Sequence, residues 1–204
     1  KTGDTPSGNA ERILKNIPAS HAAAAEQAAQ AGRWDDAVAA RWQAVSCRPF
    51  THRVRHHADA LQNTLESSPL YQDVARLHKD VSALWVAYRE ESGLRFGDFG
   101  LLYQSCGPAL LAGSRDTEVR AAAYDLETLC AGQRVLDLGA NTGFLSLAAA
   151  SHAATVRGIE HEQALVDIGS RVRDHLHLDN CTFLCADASV YDSDEPFDVV
   201  IAAA

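Results

Sequence analysis

One stretch of the sequence, residues 134–147, constrains the fold more than any other. The apolar run Arg134–Leu138 is followed by a turn that contains Gly139 and Gly143, and a second apolar run begins at Phe144. Gly139 allows a sharp turn because glycine has no Cβ, and Gly143 allows a ligand to approach the backbone where a helix starts. The order strand, glycine loop, helix therefore predicts a ligand site at the end of a buried strand.

The rest of the C-terminal region repeats this alternation. Apolar runs at 155–160, 181–186 and 197–202 predict three more strands, and helical patterns fill 144–152 and 162–176. Alternating strands and helices at this spacing are typical of a parallel sheet with right-handed crossovers. The strands are apolar almost throughout, as in a sheet covered on both faces. The expected fold class is α/β, with a Rossmann-like parallel sheet.

The loop after the first predicted strand has the form Asp-x-Gly-x-Asn-x-Gly, from Asp137 to Gly143. Dinucleotide-binding enzymes instead use the spacing G-x-G-x-x-G, which brings backbone N–H groups to a pyrophosphate. That spacing does not occur here, because Asn141 takes the middle position. The stretch resembles the first motif of class I S-adenosylmethionine-dependent methyltransferases.

This resemblance implies a cofactor, S-adenosylmethionine, and residues that hold it. In that family the glycine loop packs against the methionine part of the cofactor, and the acid lies near its amino group. The residues that match are Asp137, Gly139, Ala140, Asn141, Gly143 and Phe144. The reaction expected from the resemblance is methyl transfer to an O, N or C nucleophile, and the methyl acceptor is not identified.

A second acidic residue, Glu160, ends the second predicted strand, 17 residues after Gly143. A carboxylate at this position can accept hydrogen bonds from both ribose hydroxyls. Methyltransferases and dehydrogenases share this feature, so it indicates a nucleoside site without choosing between them. A nucleotide-dependent oxidoreductase therefore stays open as an alternative.

A third acidic residue, Asp187, follows the third predicted strand, and Ala188 comes after it. In the methyltransferase family an acid at this place binds the adenine amino group, and the next backbone N–H meets the ring. Ligands of open α/β sheets bind outside the carboxyl ends of the strands. We therefore expect a cofactor cleft formed by residues 138–144, Glu160 and Asp187.

The last predicted strand resembles the fourth motif of the family, where a catalytic or substrate-contacting polar residue often follows. Here the sequence continues only as alanines up to Ala204, so the catalytic residues stay unknown. Methionine is absent, and the chain stops after an apolar run. Both observations predict a fragment whose methyltransferase core is truncated after its fourth strand.

The N-terminal part of the sequence predicts helices at 21–31, 34–45, 51–66 and 70–91. The first two resemble a single tetratricopeptide-type repeat, with matching residues Gly32, Trp34, Ala37, Ala44 and Pro49. Arg41 stands where a large aromatic residue is usual, and such arrays need about three repeats. A plain helical bundle is the alternative, and either could bind a protein partner. A non-catalytic partner-binding module is accordingly a second alternative for the whole chain.

The segment 93–113 contains several glycines and is expected to be a connecting segment that does not contribute to the core. Ser114 or Asp116 is a candidate N-cap for a helix that runs to Leu129. Residues 102–104 and 113–120 also resemble the lead-in of some bacterial methyltransferases, which closes over the cofactor, with Tyr103, Arg115 and Asp116 as candidate contacts. A capped surface helix is the alternative. The expected domains are 1–18 as lead-in, 19–92 as helical region, 93–130 as connecting segment or cofactor lid, and 131–204 as the N-terminal half of the core.

Composition excludes several other classes of protein. The chain has 47% hydrophobic and 22% charged residues, which is ordinary globular usage, and no apolar run reaches the ~18 residues that span a membrane. Residues 131–204 hold 4 Lys/Arg against 11 Asp/Glu, so charge does not indicate nucleic acid. The five cysteines lack C-x-x-C spacing, and the cluster His52, His56, His57 has no nearby carboxylate before Asp59, so no metal is expected. Reduced thiols and no signal peptide predict a cytoplasmic protein.

Overall fold

The computed structural model describes residues 20–46, 54–93, 102–193 and 195–203. The expected lead-in, together with Cys47, Pro49 and His52, lies outside these residues. No helix within them is long and apolar enough to cross a membrane. Two compact units divide the chain, the first made of described residues up to Ala75 and the second of those from Arg76 on. Each unit is described by itself.

The first unit is helical, as the sequence predicts. Helix α1 covers residues 20–30, α2 is Trp34–Ser46, α3 is Val54–Ser67, and α4 (Gln72–Ser92) begins in this unit. Small apolar side chains fill its interior, namely Ala25, Ala28, Ala37, Val38, Ala44, Val45, Leu61 and Leu65. The hydroxyl of Tyr71 donates to Asp35 of α2 at 2.9 Å, so α2 is also joined to the residue that precedes α4.

From Arg76 on, α4 belongs to the second unit. Leu77, Val81, Trp85 and Tyr88 recur at steps of three and four residues and are all buried. This spacing places them on one face of the helix. They share a hydrophobic core with residues of the sheet unit such as Val135. This face of α4, from Leu77 to Tyr88, therefore packs into the core around the sheet.

Four parallel strands form the main sheet. They are β3 (Arg134–Leu138), β4 (Thr155–Glu160), β5 (Cys181–Cys185) and β6 (Val199–Ile201), in the order β5-β4-β3-β6. Helix α7 (Phe144–Ala150) packs against β4 and β5, and α8 (Gln163–His175) does the same. The α/β fold with a parallel sheet is confirmed. Because β3, β4 and β5 are adjacent and parallel, their carboxyl ends lie side by side at one edge of the sheet.

The segment before the sheet contains structure that the sequence analysis did not predict. Strands β1 (Leu102–Gln104) and β2 (Gly113–Arg115) form a small parallel pair of their own. Leu102, Cys106, Ala109 and Leu111 are buried in the core of the second unit. The expectation that residues up to 113 only connect is therefore wrong for this part of the segment.

The single helix expected up to Leu129 is instead two short helices, α5 (Thr117–Ala123) and α6 (Leu126–Leu129). Asp125 between them has a φ of 51°, in the left-handed region, which interrupts the helical hydrogen bonding. Asp116 is the N-cap of α5, where its side chain accepts from Val119 N at 2.9 Å, as one of the two candidates predicts. Ser114, the other candidate, lies in β2.

Candidate cofactor site

The loop after β3 has an unusual backbone. Gly139, Asn141 and Gly143 all lie in the left-handed region, with φ values of 71°, 56° and 75°. The N–H groups of Gly139 and Ala140 both donate to the carbonyl of Ile159 in β4, at 2.9 Å. The loop is thus folded back over the end of the neighbouring strand. A Cβ placed on Gly139 would meet nothing within 4 Å, so there is open space on this side of the loop for a ligand.

The second glycine of the loop has a different role from the one predicted. A Cβ on Gly143 would strike the ring of Phe183 in β5, and Gly158 and Gly169 border the same ring. The three glycines together leave room for one aromatic side chain beneath the loop. The expectation that Gly143 admits a ligand is therefore corrected. Its missing side chain admits Phe183, and the open approach lies at Gly139.

Glu160 lies at the end of β4 and is only 5% exposed. Its Oε2 accepts from Asn141 N at 2.8 Å. Its Oε1 accepts from the backbone N–H of His161 at 2.8 Å and of Glu162 at 3.2 Å, and lies 2.7 Å from His161 Nδ1. The carboxylate therefore joins the loop after β3 to the start of the segment that leads into α8.

These contacts decide how Glu160 could bind a ribose. A carboxylate has about four lone-pair positions, two on each oxygen. Oε1 already has three donors near it, whereas Oε2 has Asn141 alone. One ribose hydroxyl can be accepted at Oε2 as the site stands. At Oε1 the backbone N–H groups of His161 and Glu162 already take both lone-pair positions, so a second hydroxyl there would have to displace one of them.

Asp137, the acid of the glycine motif, is buried beneath the loop at 3% exposure. It accepts a hydrogen bond of 2.5 Å from the hydroxyl of Ser146 in α7. Burial raises the pKa of Asp137 to about 6, while Ser146 and the positive charge of Arg120 lower it and Glu160 raises it further. The side chain thus holds a proton or a costly buried charge near neutral pH. A cationic amino group near Asp137 would favour the charged form.

Asp187 follows β5 and is exposed. Its Oδ1 accepts from both the backbone N–H of Ser189 at 2.8 Å and the Ser189 hydroxyl at 2.7 Å, and these bonds lower the pKa of the carboxyl. The N–H of Ala186 donates to the carbonyl of Glu160 at 2.9 Å. Asp187 and the half-buried Ala188 therefore begin a turn that starts next to Glu160.

The sequence analysis missed one side chain that holds the glycine loop. Gln104 of β1 is buried, and its Oε1 accepts from Thr142 Oγ1 at 3.1 Å and from Phe144 N at 2.9 Å. Its Nε2 lies 3.5 Å from the carbonyl of Ala140. Nothing local in the sequence indicates this, because Gln104 stands 36 residues before the loop. The resemblance of residues 102–104 to a family lead-in assigns no role to Gln104.

Two further observations concern the residues around this edge. The hydroxyl of buried Tyr88 has a raised pKa, chiefly because of burial and then because of the charges of Glu162 and Glu160. Helix α4 therefore brings a phenol within electrostatic reach of the same carboxylate. Arg115 and Tyr103, two of the candidate lid residues, lie against each other, with the guanidinium carbon 5.8 Å from the ring centroid.

The residues around this edge fit an uncharged nucleoside with a cationic amino acid better than a phosphate. Three acidic side chains lie at or just beyond the carboxyl ends of three adjacent strands: Asp137, Glu160 and Asp187. Their negative charges oppose a pyrophosphate and favour hydroxyl and amino donors. The open space at Gly139 allows the ligand to touch the backbone of the loop.

Comparison with known proteins finds similarity in the C-terminal part of the chain. Residues 129–204 match the family model described as a methyltransferase domain. The match shows that this part of the chain is similar to a methyltransferase domain. It begins after β1, β2 and α5, which therefore lie outside the matched residues.

The relatives are similar to only part of the chain. A ubiquinone biosynthesis O-methyltransferase of Coxiella burnetii is 30% identical over 83 residues, which are 40% of this chain. The chain spans 35% of the length of that relative. Among solved structures, a methyltransferase from Thiobacillus denitrificans in complex with S-adenosyl-L-homocysteine is 33% identical, covers 42% of this chain and 35% of its own, and has a TM-score of 0.38. YjhP from E. coli is 26% identical over 43% of this chain and 37% of its own, with a TM-score of 0.39.

Proposed function

We propose that the protein transfers a methyl group from S-adenosylmethionine to an O, N or C nucleophile. The observation that carries this proposal is the meeting of the glycine loop, Glu160 and Asp187 at the carboxyl ends of β3, β4 and β5. Such an edge is where open α/β sheets bind their ligands. The family match over residues 129–204 supports a methyltransferase rather than an oxidoreductase.

In this proposal each group of the site has a separate task. The cofactor supplies the reactive sulfonium methyl group when bound. Glu160 accepts a ribose hydroxyl at Oε2, and the backbone near Gly139 meets the methionine part of the cofactor. Asp137 supplies negative charge for the amino group, and Asp187 with Ala188 receives the adenine ring. The protein mainly positions the reactants, because the cofactor already contains the carbon that is transferred.

The methyl acceptor is proposed only as a class of nucleophile. The 30% identical relative from Coxiella burnetii is named for O-methylation in ubiquinone biosynthesis, but this chain spans about a third of its length. No residue described in this chain is assigned as a general base. A protein partner for the helices of the first unit, and a tetratricopeptide-like repeat there, remain part of the same proposal.

Calorimetry tests the proposal against its two alternatives. S-adenosylhomocysteine and NAD are titrated separately into the full chain, into Glu160→Gln, and into Asp167→Asn as a control. Asp167 is an exposed carboxylate on α8 that only accepts from Gln163 among the contacts described, at 2.7 Å. We expect S-adenosylhomocysteine alone to bind, with weaker binding to Glu160→Gln and unchanged binding to Asp167→Asn. Binding of NAD alone would indicate an oxidoreductase, and binding of neither would indicate a non-catalytic module.

A further inference from the structure

The segment that holds the cofactor loop lies outside the residues that match the methyltransferase family. That match begins at residue 129, whereas Gln104 belongs to β1, which pairs only with β2. Gln104 is nevertheless buried at 5% exposure and reaches the loop between Ala140 and Phe144. A side chain of a separate two-stranded pair therefore contacts the loop on which the proposed function depends.

Gln104 provides a hydrogen-bond acceptor for two groups of the loop, Thr142 Oγ1 and Phe144 N. Helix α7 begins with Gly143 at its N-cap, and glycine has no side chain to accept from the first free N–H groups of the helix. Gln104 Oε1 accepts from one of them, Phe144 N, at 2.9 Å. The same oxygen accepts from the fully buried hydroxyl of Thr142 at 3.1 Å. Without Gln104, two buried donors would lose their partner at the point where the loop turns into the helix.

The position of Gln104 is itself fixed by its neighbour in the strand pair. A Cβ on Gly113 of β2 would overlap the backbone carbonyl of Gln104 and the N–H of Ser105. Only a residue without a side chain lets the two strands approach this closely. Ser105 N also donates to the carbonyl of Arg115 at 2.8 Å. The strand pair therefore presents the Gln104 amide at one place relative to the loop.

We propose that Gln104 is a positioning residue of the cofactor site. Gln104 acts through the loop and does not touch the cofactor itself. It holds Thr142 and Phe144 so that the left-handed turn from Gly139 to Gly143 is formed before the cofactor arrives. This inference rests on the proposed function for its effect on cofactor affinity, but the ordering of the loop can be measured without any ligand.

The test compares Gln104→Met with the wild-type full chain. Methionine keeps the length and burial of the side chain and removes both hydrogen-bonding groups. Amide exchange of the unliganded protein is expected to rise in peptides that cover 139–146 and to stay unchanged in β4 and β5. The affinity for S-adenosylhomocysteine is expected to fall about tenfold, as the loss of roughly two neutral hydrogen bonds predicts. Gln163→Met, a change at an exposed glutamine of α8, serves as the control and should alter neither result.

Each outcome has a defined meaning. A rise in exchange spread over the whole sheet with unchanged affinity would show that Gln104 serves general stability, and would overturn the inference. If Gln104→Met does not fold, Thr142→Val removes one of the two donors and should give a smaller rise confined to the loop; no rise there would also overturn it. If the wild-type chain does not bind S-adenosylhomocysteine, the proposed function fails, while a local rise in exchange would still support the positioning role.

Discussion

The loops that follow β3 and β5 both border the proposed cofactor cleft, yet they are held in opposite ways. The loop after β3 is held by hydrogen bonds to three residues: Ile159 and Glu160 of β4, and Gln104 of β1. The turn after β5 is exposed, and Asp187 is held chiefly by Ser189, two residues further on. The loop after β3 is therefore ordered before the cofactor binds, whereas the turn after β5 is free to change its conformation. Substitutions on the first side should change stability and affinity together, whereas those on the second should change affinity alone.

The largest effect is expected for Glu160→Ala. The change removes the acceptor of three backbone N–H groups and of the ribose hydroxyl. Stability should fall by about 2–3 kcal/mol because three partly buried donors lose their acceptor, and the binding free energy of S-adenosylhomocysteine should weaken by about 1.5–3 kcal/mol. Denaturant unfolding and calorimetry measure the two quantities. A loss of affinity without any loss of stability would mean that Glu160 does not organise the loop.

Alanine substitutions at the two glycines of the loop should affect protein stability and cofactor affinity to different extents. Gly143→Ala places a Cβ against Phe183 and strains a φ of 75°, so we expect a loss of about 2–3 kcal/mol in stability. Gly139→Ala strains a φ of 71° but meets nothing within 4 Å, so its cost should be about 1 kcal/mol. Cofactor affinity should nevertheless suffer in Gly139→Ala, because the open space is filled. Equal loss of stability in both variants would contradict the role assigned to Phe183.

Asp137→Asn should stabilise the protein at neutral pH. Because burial raises the folded-state pKa of Asp137 to about 6, above its unfolded value of about 4, the wild type loses stability as pH rises through this window. Asparagine keeps the hydrogen bond from Ser146 and carries no charge. We expect the variant to be more stable by about 1–2 kcal/mol at pH 8 and equal to the wild type below about pH 4. Thermal unfolding over this range is the measurement, and a difference that does not vary with pH would contradict the buried charge.

The smallest effect on stability is expected for Asp187→Ala. The side chain is exposed, and its two bonds go to a single neighbouring residue. The melting temperature should stay within about 1 °C of the wild-type value, since exposed substitutions of this kind change stability little. Affinity for S-adenosylhomocysteine should still fall severalfold. Asp192→Ala, at an exposed position further along the same turn, provides the control and should change neither.

The same contrast explains what the sequence could predict. The acids at the ends of β3 and β4 and the glycine spacing are local signals, and a parallel sheet brings strand ends together by its topology. The reason for Gly143 was assigned wrongly because the ring of Phe183 reaches it from β5, 40 residues later in the chain. Spacing within a motif shows that a side chain is excluded, but it cannot show which atoms exclude it.

Gln104 and Asp125 are two features that the sequence could not predict. Gln104 lies in a three-residue strand that pairs with another of the same length, and neither has a periodic pattern long enough to detect. The left-handed residue Asp125 divides a region that reads as one helix, although its side chain gives no such signal in a single sequence. Gln104 contacts residues 36 to 40 positions later in the chain, from a segment for which the sequence predicts a connection or a cofactor lid.

The most direct test of the central account is the footprint of S-adenosylhomocysteine in amide hydrogen exchange of the full chain. The cofactor should slow exchange in peptides that cover 139–144, 160–162 and 186–190, because these follow β3, β4 and β5. The gain should be larger in the exposed turn after β5 than in the loop already held by Glu160 and Gln104. Protection confined to other parts of the chain, with these three segments unchanged, would contradict a cofactor cleft at this edge of the sheet.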